Sequence, residues 1–161
     1  MDISKPSQQY EILCKWALSL IEASEFVDRL RTDPAMKELL GVTTYNDVLS
    51  YDYGKQSEVV AVKRRINEYL SNNSNELFAK YKAKFVLDRM LTRNTDLLAG
   101  VRELVYLSHK HKFIPIIFVG IDSEAESYGF SKLNNEREEK FRELILREAK
   151  QLRTTLAENG I

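Results

Sequence analysis

Apolar residues recur at three- and four-residue spacing along almost the whole chain, and very little interrupts them. Six glycines and three prolines serve 161 residues, too few for the frequent turns of a sandwich of short strands. The pattern instead fits helices that each bury one apolar stripe. From Ser7 to Arg31 the stripe is Tyr10, Leu13, Ala17, Leu20, Ile21, Val27 and Leu30, with Trp16 and Phe26 off its centre and able to widen it. Asp33-Pro34 then signals a new start near Thr32. An aspartate can cap free N–H groups, and a proline at the first helical position gives up only a donor that would be orphaned anyway. This second helix is expected to close at Gly41, with Thr43 or Thr44 capping a brief turn through Leu49.

Tyr51-Asp52-Tyr53-Gly54 reads as a loop. Beyond it Val59, Val62, Ile66, Tyr69 and Leu70 mark a third helix, stopped at Ser71-Asn72-Asn73. Asn73 or Ser74 caps the fourth, and Glu76, three residues after Asn73, fits a reciprocal cap. Its stripe is Leu77, Phe78, Tyr81, Phe85 and Leu91. Arg93-Asn94-Thr95 punctuates, and Leu97, Leu98, Val101, Leu104 and Val105 carry a fifth helix to about Ser108.

The run from Phe113 to Val119 is continuously apolar and could be a buried strand, although Pro115 cannot donate to a ladder. A short buried helix with Pro115 in its first turn is the preferred reading, because no second strand is available to pair with. Ile121 to Ser131 turns small and polar, as a surface loop does. Asn135 with Glu138 then opens a long terminal helix that buries Phe141, Leu144, Ile145, Leu152 and Leu156 and ends at Asn159-Gly160. The expected architecture is all-α, a single helical domain over residues 1–161 built as a bundle of five or six helices.

Composition excludes several classes. One cysteine, Cys14, leaves no disulfide scaffold and no cysteine-based zinc site, and its place beside Leu13 and Ala17 suits a small buried hydrophobe. No apolar run reaches ~18 residues, so no membrane span is expected. Met1 to Pro6 lacks the basic-then-apolar pattern of a signal peptide, which makes the cytoplasm the expected location.

The formal net charge is zero, but the charges are not evenly spread. Residues 1–54 carry 5 basic and 9 acidic side chains, residues 55–112 carry 12 and 6, and residues 113–161 carry 7 and 9. The basic excess therefore lies in the central helices. Lys80 and Lys84 are neighbours on one face, Lys82, Arg89 and Arg93 make a second line, Lys63, Arg64 and Arg65 cluster on the preceding helix, and Lys110 and Lys112 follow the fifth. Such lines can track a phosphate backbone without reading sequence. They are equally at home on the wet face of a helix, where Glu76 can pair with Lys80 and Asp88 with Lys84.

Chemistry-bearing motifs are sparse. There is no glycine-rich phosphate loop and no His-Glu-x-x-His, and no local spacing of carboxylates completes a metal site around His109 and His111. Those histidines suit the negative end of a helix dipole. Arg102-Glu103-Leu104-Val105-Tyr106-Leu107-Ser108-His109 has an Arg and a His separated by six residues on a predicted helix. It resembles the Arg-to-His motif of the HEPN superfamily, all-helical domains that often act as RNases. That resemblance implies Arg102 and His109 acting together around a scissile phosphate.

With no other catalytic constellation, binding is the expected mode of action, without catalytic residues, metal or cofactor. In size, helicity and charge placement the chain is similar to the small helical subunits of multi-subunit CRISPR effector complexes. The similarity implies a non-catalytic subunit that stacks against other protein subunits, copies of itself included, and touches DNA or RNA backbone. Lys63, Arg64, Arg65, Lys80, Lys84, Arg89 and Arg93 would then hold phosphates. The competing expectation is a protein-interaction module, such as an adaptor, immunity or phage structural protein, whose basic lines serve solubility.

Overall fold

The computed structural model describes residues 7–93, 96–130 and 136–161, with side chains throughout except at Arg93, Glu136 and Arg137. The described residues form seven helices and no strand: α1 (Gln8–Ala17), α2 (Ala23–Thr32), α3 (Pro34–Leu49), α4 (Gln56–Arg93), α5 (Leu97–Ser108), α6 (Ile117–Ser127) and α7 (Glu136–Glu158). The all-α class follows, with more helices than the five or six expected. The chain gathers into two compact units, one ending at Phe78 and the other beginning at Ala79.

In the first unit the expected helix from Ser7 to Arg31 is broken in two. Ser7 caps α1, its side chain accepting from the Tyr10 N–H. The chain then reverses at Ser19, which takes a left-handed φ of 60°. The reason lies in two aromatic rings. Trp16 and Phe26 stack face to face with centroids 4.6 Å apart, yet ten residues along one straight helix would separate them by about 15 Å. Only a hairpin brings them together. Tyr53 joins the pair at 6.2 Å from each ring and donates its hydroxyl to the Val48 carbonyl at 2.8 Å. The reversal also carries Leu20, expected in the stripe, to the surface at 51% exposure.

Asp33 and Pro34 act as their types predict, the Asp33 carboxylate accepting from the Ala35 N–H at 3.0 Å. Gly41 interrupts α3 with φ 73° and ψ 157°, a conformation that a side chain would strain. The expected stop after Leu70 is a single interruption of α4 at Ser74 (φ −157°, ψ 52°) rather than a loop. Asn73 donates its side-chain amide to the Tyr69 carbonyl there, and the Tyr10 hydroxyl donates to the Ser74 carbonyl at 3.3 Å. Leu13, Cys14, Leu30, Met36, Val62, Ile66 and Leu70 complete this core, all fully buried.

In the second unit Asp96 caps α5 through the Ala99 N–H, and α5 ends at Ser108 as expected. Met90 presses on Gly100, where a Cβ would meet its side chain at 2.5 Å. The apolar run from Phe113 to Val119 does enter a helix, but not a buried one. Phe118, Ile121 and Ala125 face the core, at intervals of three and four that define one helical stripe, and Ile114 is buried just ahead of the helix. That stripe prolongs α6 to Ser127, through residues expected to be a loop, until Tyr128 and a left-handed Gly129 close it. The other apolar residues of the run point outward: Ile116 is 85% exposed, Ile117 39% and Val119 38%. In α7, Phe141, Ile145, Ala149, Leu152 and Leu156 are buried, while Leu144 is only partly so. The expected cap Asn135 lies outside the described residues. Arg153 ties α7 to α4 through Asp88, with Nε 2.6 Å from Oδ1.

Candidate functional site

The seven basic residues proposed from sequence fall into both units. Lys63, Arg64 and Arg65 lie in the first, and Lys80, Lys84, Arg89 and Arg93 in the second. The Arg93 side chain is outside the described set. Lys63 is half-buried, its ammonium 4.7 Å from the Trp16 ring centroid and 2.9 Å from the Ser19 hydroxyl. Arg64 stands 3.8 Å from Glu68 one turn on. Arg65 reaches back to Asp47 at 3.0 Å. Arg89 is paired with Glu103 on α5. The three described arginines of the set thus all face carboxylates, and the local field each offers a phosphate is partly cancelled. Lys80 and Lys84 lean on aromatic faces: Lys80 is 5.9 Å from the Phe113 centroid, and Lys84 is 5.5 Å from Tyr81 and 5.9 Å from Phe85. Asp88, expected beside Lys84, is taken by Arg153.

The Arg102 and His109 pair is also placed. His109 is the C-cap of α5 and is exposed, two turns or about 10 Å along the axis from Arg102. Arg102 turns to α6, its Nε 3.6 Å from Asp122 Oδ1. His111 packs its ring 5.9 Å from Phe113. Among the described residues no three His, Cys, Asp or Glu side chains are grouped to hold a metal.

A different feature stands out in the second unit. α5 and α6 pack against each other and are joined by the short connection of residues 109–116. The Arg102–Asp122 ion pair bridges the two helices. Tyr106 lies in the last turn of α5, and Ile116, Ile117 and Val119 lie at the start of α6, at the two helix ends that the connection joins. Tyr106 is 70% exposed. Tyr106, Ile116, Ile117 and Val119 are half of the eight exposed large hydrophobic residues of the described chain, and all four belong to these two helix ends, the α5–α6 corner. Of the others, Leu20 lies in the turn between α1 and α2, Val42 and Val60 lie on α3 and α4 of the first unit, and Tyr128 stands at the far end of α6; isolated exposed apolar residues require no explanation. A cluster does. Pro115 and Gly120 are exposed within it, and His109, Lys110 and Lys112 border it, exposed as well.

Sequence reasoning missed this corner because it took the whole run as core. The signal was present in the phase of the helix. Once Phe118, Ile121 and Ala125 are assigned inward, residues 116, 119 and 120 must face outward and 117 lies at the edge of the stripe. No protein-family profile, no curated protein and no solved structure matches this chain.

Proposed function

We propose that this chain is a non-catalytic binding subunit that docks on another protein through the α5–α6 corner. The observation that carries the reading is the exposure of Tyr106, Ile116, Ile117 and Val119 at the two helix ends joined by residues 109–116. Apolar side chains held on rigid helices and left uncovered gain free energy when a partner removes them from water. Aromatic and aliphatic anchors surrounded by polar groups are the usual centre of such contacts. The test is site-directed photocrosslinking in the cells that make the protein, with a benzophenone side chain at position 116 and, as control, at the exposed Val60 in the first unit. One adduct of defined mass from position 116 and none from position 60 is expected. No adduct at 116, or the same adducts at both positions, overturns the reading.

A second reading is nucleic-acid backbone contact, of the kind made by the small helical subunits of CRISPR effector complexes. It is favoured by the approach of Lys80 and His111 to the same Phe113 ring, each at 5.9 Å, beside Lys110 and Lys112. Its test is binding to labelled single- and double-stranded DNA and RNA at about 50 and about 200 mM salt. Retention that falls steeply with salt and is lost in K80E/K84E supports it. Binding indifferent to both counts against it.

A further inference from the structure

We infer that the occupant of the α5–α6 corner is an acidic protein segment carrying two or three apolar anchors, a partner class that rests on the docking role proposed above. The first argument is charge. Between Glu103 and Asp122 the sequence contains no aspartate or glutamate, while it holds Lys110, Lys112, His109 and His111. The two carboxylates that border this stretch are both occupied, Glu103 by Arg89 and Asp122 by Arg102 at 3.6 Å. Lys110 and Lys112 are exposed, and no carboxylate among the described residues forms an ion pair with either. The corner therefore presents uncancelled positive charge beside its apolar side chains. A partner with carboxylates flanking its anchors gains in encounter rate and in orientation, and a basic partner is repelled.

The second argument is shape. Ile116 projects, and Val119, 38% exposed, lies on the side of α6 that carries Asp122 and so faces α5, while Ile117 lies on the opposite side. Ile116 and Val119, with Tyr106 on the neighbouring helix, are the side chains that a segment laid across the two helix ends would cover. Helix axes in contact lie about 8–10 Å apart, a span that two or three side chains of one helical or extended segment can cover. A bilayer is matched better by apolar tips standing clear of the lysines, and a phosphate backbone gains nothing from isoleucine and valine. This surface is small, so a weak, readily reversed complex is expected.

The experiment pans a phage-displayed library of random 16-residue peptides on the full chain and then measures binding of a fluorescein-labelled selected peptide. Selected sequences are expected to be net negative with two or three large apolar residues. Binding is expected to fall at least tenfold in K110E/K112E and in I116S, both melting as the parent does, and to weaken with salt. Selection of neutral or basic peptides, or of none, overturns the inference. So does capture of phosphatidylserine vesicles or of a 20-nucleotide oligothymidine through the same residues, or self-association abolished by I116S. If position 116 crosslinks to a protein in cells while the selected peptides are not acidic, the docking role stands and the acidic partner falls. If I116S alters no interaction at all, both fall.

Discussion

Two residues of one helix end give the sharpest check on the packing that the docking corner depends on. Ile116 is 85% exposed and Phe118 is fully buried, although the two are separated by a single position. Burying an isoleucine completely contributes roughly 1.5–3 kcal/mol, so the covered fraction of Ile116 is worth at most about 0.5 kcal/mol. Truncating a buried phenylalanine costs about 3–5 kcal/mol, because transfer and cavity terms add. Ile116→Ala should therefore leave the urea midpoint, followed by far-ultraviolet circular dichroism, nearly unchanged. Phe118→Ala should lower the thermal midpoint by at least about 12 °C, given about 4–8 °C per kcal/mol for a unit of this size. Comparable losses in the two variants would refute the reasoning. The helix would then be rotated, and the corner would be core.

The same logic extends to other sites. Gly41→Ala should cost about 1–3 kcal/mol through backbone strain alone, since nothing lies within 4 Å of the added Cβ. Gly120→Ala, also in open space but inside a regular helix, should stabilise by about 0.5–1 kcal/mol, and thermal melts compare the two signs. Burial pushes the phenols of Tyr53 and Tyr69 above the ordinary tyrosine range. The folded state then holds protons that the unfolded state releases, so this stability is present below about pH 10 and is lost as pH rises beyond it. Tyrosinate absorbance should accordingly show these two of the eight tyrosines ionising late, with alkaline unfolding. Arg153→Gln breaks a pair that is only partly exposed, at 25% and 41% for its two side chains, and should cost about 1 kcal/mol by urea titration.

What could be read in the sequence was whatever has a local physical signature. Asp33-Pro34, the closing Gly41 and the bounds of α5 all follow from caps and turn residues acting on their immediate neighbours. The break at Ser19 has no such signature, because a left-handed serine is imposed by the stack of Trp16 on Phe26 and not by its own preference. The extension of α6 was hidden for a related reason. Ile121 and Ala125 hold polar residues in a helix that their composition alone would leave as a loop. Charge pairing was the least legible. Helical spacing proposes partners four residues away, yet Arg65 found Asp47 and Arg89 found Glu103, at separations of 18 and 14 residues. Those pairings depend on tertiary packing, so the basic face legible in the sequence is less bare in the fold.

The Arg153–Asp88 bond joins positions 65 apart in the chain, whereas Trp16 and Phe26 meet across ten. Closing the longer loop costs about 1.7 kcal/mol more chain entropy by the logarithmic scaling of loop length. As the chain leaves the ribosome, the α1–α2 hairpin can close while synthesis is still under way. The second unit must wait for α7 to follow α6 before its core is covered. During that interval Phe118, Ile121 and the inner face of α5 are open to water, so the nascent chain is most vulnerable to aggregation before α7 emerges, at its apolar α5–α6 pair.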